Sequence, residues 1–485
     1  MAASFFFYDL ETSGFNPREA RIMQFAGQRT DADLKPIGEP VNILIKLTPD
    51  VLPDPDAVLL TGITPQQTLQ DGVTEAEFLK YFYKEVVQPD TTFLGFNSVR
   101  FDDEFMRYLH YRNFYDAYEW QWRDGCSRWD VLDLVRMTRA LRSEGIEWPF
   151  TEEGKPTNRL ELLTKLNGLD HQQAHDALSD VYATIAVARL VRDKQPDLFT
   201  YLLGKRSKKA VAELVLKGEP FIYTTGRYAG TTLNTSAAVL LAPHPQQDSG
   251  IVYDLRHDPT PYLAMSVAEL VTCWQYNPDP AATRLPVKTI KYNRCPALAP
   301  LGVIKDPATQ ERLQLNLDTV AKHLTLLKRH QADFARNILQ AQAKLDAQRA
   351  EQHDAATIER HNVDGQLYNG FFGPADKAAM QSVRGATPEQ LSEVATSLHD
   401  SRLQTLLPLY KARNYPGSLT SEERAQWDSF CVEKLFSGQQ ASRLAGYFAR
   451  LAELAKDASA TGDKAYLMQE LQLYGESIMP GDVTA

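Results

Sequence analysis

Short apolar runs alternate with amphipathic stretches from residue 5 to about residue 195. The first run, FFFYDL at 5–10, stops shortly before Ser13-Gly14 and reads as a strand. Runs at 22–26 and 41–45, with polar Thr30-Asp31-Ala32-Asp33 between them, predict a three-strand meander. Turn chemistry at Thr61-Gly62-Ile63-Thr64-Pro65 predicts a helix start, since Pro65 suits a first turn. Residues 92–96 predict another strand. Over 130–141, Val131, Leu134, Val135, Thr138 and Leu141 share one helical face, with Arg136 and Arg139 away from its centre. A shorter helix over 159–166 ends at Asn167-Gly168, and a strong one over 176–191 is stopped by Pro196. Strands mixed with helices in this way predict an α/β domain.

The pattern then changes. Between 197 and about 310, Gly, Pro and Thr become frequent and short apolar runs (238–241, 251–253) alternate with turns, which predicts a small β-rich domain. From about 311 the spacing is helical, as in Leu317, Val320, Leu324 and Leu327. The polar tract 340–354 reads either as an exposed helix or as a linker. Thr387-Pro388-Glu389-Gln390 and Thr420-Ser421-Glu422-Glu423 have capping-box spacing and predict two helix starts. A chain of 485 residues is long enough for about three domains. The expected division is 5–195, 196–354 and 355–477.

Composition narrows the classes. With 43% hydrophobic and 24% charged residues, the chain is globular. Its four cysteines, Cys126, Cys273, Cys295 and Cys431, form no CxxC pair. That argues against a zinc ribbon or disulfide framework and for a reducing, cytoplasmic setting. Neither a signal peptide nor a membrane span is expected. A net charge of −10 argues mildly against nucleic-acid binding, although a local patch or bound cations set the field at a site.

Candidate chemistry starts at Asp9 and Glu11. Two residues apart on a strand, they face the same side, roughly 6–7 Å apart. Taken alone, this reads first as a strand end that reaches solvent. A pair of divalent ions about 4 Å apart is the alternative that reconciles the two charges. Two later segments bear on the choice. LGFNSVRFDDEF (94–105) presents Asp102 and Asp103 after a strand. AHDALSDVYAT (174–184) carries His175 and Asp180, with Asp176 as an N-cap that leaves His175 outside the helix. On one helix His175 and Asp180 would lie about 140° apart. Oxygen donors suit Mg²⁺ or Mn²⁺, and a histidine can accept the proton of an attacking water. The order DxE…NxxxFD…HxxxxD fits two-metal phosphodiester hydrolysis.

This order resembles the DEDDh exonucleases, with Asp9 and Glu11 matching the first motif, Asp102 the second, and His175 and Asp180 the third. Position 176 is Asp, where the tyrosine branch would have Tyr. TGITPQ (61–66), GFNSVRFDDE (95–104), YRNFYD (111–116), SRWDVLDL (127–134), AHDALSDVYATIA, NVDGQLYNGFF (362–372) and ARNYPG (412–417) extend the likeness to bacterial exonuclease I over nearly the whole chain. The resemblance implies a ribonuclease H-like exonuclease domain with a mixed sheet, then an SH3-like β-rich domain with a helical extension, then an α-helical C-terminal domain. It implies processive 3′→5′ degradation of single-stranded DNA to 5′-mononucleotides in DNA repair and recombination, with two Mg²⁺ per site. It also implies a monomer that binds the acidic tail of single-stranded DNA-binding protein, for which Arg142 is a candidate carboxylate partner. An RNA-trimming exonuclease and a catalytically idle DNA clamp are the alternatives.

Between the second and third motifs aromatic and basic residues crowd together. Bases stack on aromatic rings with little regard to sequence, and arginines pair with phosphates. Tyr118 and Trp122 are expected as stackers, and Arg107, Arg136 and Arg159 as backbone contacts, although core packing explains many such aromatics. Glu11 is expected also to touch the terminal nucleotide. By resemblance, Lys288, Arg294, Gln366, Tyr368 and Arg413 lie in family-like segments, and some of them are expected to face the DNA. The stretch 221–233 is least like the family, and no contact there is carried over.

Overall fold

The N-terminal apolar run is the central strand of a five-stranded mixed sheet. β1 (Ser4–Thr12) pairs antiparallel with β2 (Ile22–Thr30), and β2 pairs antiparallel with β3 (Val41–Leu44). The expected meander is therefore present. On its other edge β1 runs parallel to β4 (Thr91–Gly95), and β4 runs parallel to β5 (Ser127–Asp130). The order is β3-β2-β1-β4-β5. The structure is a computed structural model, which describes residues 4–169, 176–279, 281–357, 360–438, 442–456 and 462–479.

Alternation along β1 sorts its side chains between two cores. Phe6, Tyr8 and Leu10 join Phe25, Phe78, Phe82 and Phe93 on one face. Phe5 and Phe7 join Ala177, Val181 and Ala183 on the other. The helix Ala177–Lys194 crosses β1 and β2 on that second face, where its small residues permit a close approach. Asp176 is its N-cap and accepts a hydrogen bond from the Ser179 amide at 3.0 Å. The helix Val131–Leu141 buries all five residues of its expected face and is capped by Asp130. Pro196 does more than stop a helix: it opens the next one, Pro196–Gly204.

Residues 221–300 form a second, wholly antiparallel sheet in the order β10-β6-β7-β8-β9. Its strands are β6 (Phe221–Thr224), β7 (Thr235–Pro243), β8 (Ser249–Asp254), β9 (Val287–Lys291) and β10 (Ala297–Pro300). Two helices, Pro196–Gly204 and Lys208–Val215, precede it, although turn-rich composition predicts none. The polar tract at 340–354 is helical, inside Gln331–Thr357. Thr420 makes a full capping box with Glu423, as expected. Thr387 does not: Gln390 bonds back to the Thr387 amide within a turn, and the helix that follows, Leu391–Val394, has four residues. Among the described residues no helix is long and apolar enough to cross a membrane.

Candidate active site

Asp9 and Glu11 leave β1 on the face that carries Phe5 and Phe7, the side covered by the helix Ala177–Lys194. Strand parity alone aims them at Asp180, in the first turn of that helix. Oxygens of Asp9, Glu11 and Asp180 all lie within 4.8 Å of one another. Asp102 is the first residue of the helix Asp102–Arg112 and is 2% exposed. Its Oδ1 is buried with no hydrogen-bond partner. His175 lies outside the described residues.

The electrostatics are those of a site built for cations. Burial raises the Asp9 carboxyl well above its usual range, and the charges of Asp102, Glu11 and Asp180 raise it further. Glu11 is pushed up to about 8 by burial and by the Asp180 and Asp102 charges. Asp102 is pushed up to about 8 by burial, reinforced by the Asp103 and Asp130 charges. The converging oxygens of Asp9, Glu11 and Asp180, with the unpartnered Oδ1 of Asp102 in their electrostatic reach, fit a hard divalent ion such as Mg²⁺ or Mn²⁺.

Neighbouring Asp103 has a different task. It accepts hydrogen bonds from the Tyr8 hydroxyl at 2.5 Å and from the Arg128 guanidinium. Tyr8 lies between two apolar residues on the face of β1 away from Asp9. That hydroxyl in an otherwise apolar register is the sequence signal for a buried partner, which the sequence reading passes over. The three side chains tie the start of the Asp102 helix to β1 and β5.

The expected strand-binding residues divide. Trp122 is 63% exposed, and Arg159 is exposed beside Glu161. Tyr118 is half-buried with Arg107 over its ring at 5.3 Å. Arg136 is half-buried and pairs with Asp133 at 3.0 Å. Lys288 is half-buried near the Tyr228 ring, and Gln366 is half-buried two residues before Tyr368. Tyr368 is 44% exposed and donates to Glu104 Oε2 at 2.5 Å. Arg294 donates to Glu104 Oε1 at 2.6 Å. Two expectations need correction. Arg413 is buried, held by Asp364 at 2.7 and 2.8 Å and by Asp50 at 2.7 Å, so no surface remains for a phosphate. Arg107 is also turned inward, 3% exposed, and bonds Glu104 and Gln121.

Three family models match the chain in succession: "Exonuclease" over 6–188, "Exonuclease I SH3-like domain" over 206–344 and "Exonuclease I C-terminal domain" over 361–478. The exodeoxyribonuclease I of Haemophilus influenzae is 40% identical over 98% of this chain and 99% of its own length. The chain belongs to the exonuclease I family. Solved members of the exonuclease I family have the same fold along its whole length. Exonuclease I from Methylocaldum szegediense matches with a TM-score of 0.90 at 40% identity, over 99% of this chain and 100% of that one. Escherichia coli exonuclease I in complex with a dA16 oligonucleotide matches with a TM-score of 0.90 at 37% identity, over 98% and 100%. The resemblance drawn from the motifs is thereby established at family level, with a ribonuclease H-like exonuclease domain, an SH3-like domain and a C-terminal domain.

Proposed function

We propose that this chain is an exodeoxyribonuclease that shortens single-stranded DNA from its 3′ end and releases 5′-mononucleotides. The carrying observation is the convergence of Asp9, Glu11 and Asp180 within 4.8 Å, beside buried Asp102, in a chain matched end to end by exonuclease I models. Asp9, Glu11, Asp102 and Asp180 would hold two divalent cations, Mg²⁺ in our reading. When bound, such ions activate a water and stabilise the leaving 3′ oxygen. The residues of the chain do the rest. Asp9 and Glu11 are kept in place by burial of β1. Glu11, at the end of the strand, also meets the terminal sugar. His175 takes the proton of the attacking water. Tyr118 and Trp122 stack on bases, and Arg136 and Arg159 hold phosphates. Two further domains close over the strand and keep the shortened end near the site between cuts, which makes degradation processive.

No carboxylate of the four is replaced, so nothing favours an idle clamp. The full-length match to exodeoxyribonucleases leaves RNA trimming unfavoured as well. We also infer that the exposed Arg142, just past the helix Val131–Leu141, pairs with the terminal carboxylate of the tail of single-stranded DNA-binding protein, and that the chain works as a monomer.

The test uses a 5′-labelled oligodeoxynucleotide in Mg²⁺. Wild type should shorten it from the 3′ end and release unlabelled 5′-mononucleotides, seen by chromatography, and EDTA should stop both. Asp9→Asn, Asp180→Asn and His175→Ala should each lose at least about a hundredfold in rate, as expected when a metal ligand or a general base is removed. Wild-type rates in all three would sink the assignment.

A further inference from the structure

Asp102 is carried by a segment that does not hold itself in place. The helix Asp102–Arg112 starts after Phe101 with no side-chain cap. Among the described residues no hydrogen bond orients Asp102 Oδ1, so that oxygen points where its backbone carries it. Contacts that fix residues 97–104 therefore fix the aim of this carboxylate. Asp130, at the end of β5, holds the entry to the segment. Its carboxylate accepts from the Asn97 amide at 3.0 Å and from the Val99 amide at 3.3 Å.

A second hold comes from the SH3-like domain. Its turn Tyr292–Arg294, between β9 and β10, lies against the same segment. Arg294 Nη1 donates to the Val99 carbonyl at 2.8 Å, and Nη2 donates to Glu104 Oε1 at 2.6 Å. One planar guanidinium thus grips the chain shortly before Asp102 and again shortly after it. A two-armed fork fixes direction as well as distance, which a single ammonium does not. Neighbours in the turn add to the contact. The Asn293 carbonyl accepts from Arg128, whose other arm holds Asp103, and Cys295 Sγ donates to the Arg128 carbonyl at 3.3 Å. The C-terminal domain meets the same carboxylate, since Tyr368 donates to Glu104 Oε2 at 2.5 Å. All three domains therefore converge on Glu104, in the same first helical turn as Asp102.

We propose that Arg294 is a positioning residue for Asp102: from the SH3-like domain it sets the aim of a metal ligand in the exonuclease domain, with Glu104 as the grip. The role rests on the metal-site reading of the four carboxylates and extends it to a residue of another domain. Docking of the SH3-like domain and completion of the metal site are then one event.

The test is Mn²⁺ binding at neutral pH without DNA, read from the electron paramagnetic resonance signal of the free ion, so that strand binding plays no part. Arg294→Ala should bind Mn²⁺ about tenfold more weakly, the scale on which loss of a residue that orients a ligand acts. Asp102→Asn should also weaken binding. Adding Arg294→Ala to Asp102→Asn should then weaken it little further, because Arg294 acts through Asp102. Arg294→Lys keeps the charge and loses the fork. Its melting temperature should stay near that of wild type while its Mn²⁺ affinity still falls several-fold, and it carries the test if Arg294→Ala does not fold. Wild-type Mn²⁺ affinity in the folded Arg294 variants, or full additivity with Asp102→Asn, would overturn the positioning role and leave the carboxylate site standing. A wild-type chain that binds no Mn²⁺ would overturn both.

Discussion

Asp9 carries a sharp conflict, a half-buried carboxylate among three others. Folding without a cation pushes the Asp9, Glu11 and Asp102 carboxyls upward, Glu11 and Asp102 to about 8. The folded chain therefore holds protons that the unfolded chain releases above about pH 4. Stability conferred by that protonation is complete at low pH and is lost as pH rises through about 8. In EDTA, then, stability and with it the melting temperature should fall between about pH 5 and pH 8, with a stability slope on the order of 1.4 kcal/mol per pH unit for each proton held, and should level off above that. Saturating Mg²⁺ should flatten that fall. Asp9→Asn should flatten it too and should raise metal-free stability by roughly 1–2 kcal/mol while removing activity, a trade expected where a site stores repulsion. Scanning calorimetry with and without EDTA checks both. A variant less stable than wild type at pH 9 in EDTA would contradict the account. The pair at positions 9 and 11 was legible from strand parity; the burial that makes it a conflict came only with the covering helix.

At the scale of elements, the site depends on how closely β1 and β4 approach each other beside the Asp102 helix. A Cβ on Gly95 would lie 2.5 Å from the Tyr8 carbonyl and 2.9 Å from the Ser98 Cβ. The Tyr8 side chain in turn holds Asp103. Gly95→Ala should therefore push β4 away from β1 and cost about 2 kcal/mol or more, as overpacking does in a tight interior. Tyr8→Phe should remove one hydrogen bond to a charged group, worth about 1.5–3 kcal/mol, without any clash. Urea midpoints for the two variants separate the contributions. A neutral Gly95→Ala would mean that the strands can part without cost. The sequence made these elements legible because period and caps are local: Asp176 and Thr420 both cap as their spacing implies. Thr387 has the same spacing and caps only a turn, because four helical residues follow it.

Over the whole molecule, a buried ion cluster joins the exonuclease domain to the C-terminal domain. Arg21 bonds Asp364 at 2.6 Å, Arg413 bridges Asp364 and Asp50, and Lys434 reaches Asp50 at 2.7 Å. Arg413 makes the shortest link between the two aspartates, which Lys434 and Arg21 span more loosely at 3.7 and 3.9 Å, so Arg413→Ala removes three buried charge-assisted hydrogen bonds. It should cost about 3–5 kcal/mol. Because the cluster spans two domains, the loss should appear as two separate thermal transitions in place of one. Calorimetry of Arg413→Ala at neutral pH checks this, and a single transition at the wild-type temperature would show that the cluster does not hold the domains together.

The sequence by itself determined the strand that carries Asp9 and Glu11, the helix start that carries Asp180, the order of the motifs and hence the family. These follow from residues within a few positions of one another, where alternation, capping and turn chemistry act. Which cations face solvent was decided by the tertiary structure. Arg413 and Arg107 look like any phosphate-binding arginine in one dimension. Asp50 meets Arg413 across 363 residues of chain, and Glu104 turns Arg107 inward. Arg227 and Lys291 show the converse, since they are exposed in a cleft and, among the described residues, have no carboxylate within ion-pair distance. Burial and long-range charge pairing set whether an arginine is structural or free to bind, and neither is encoded in any single stretch.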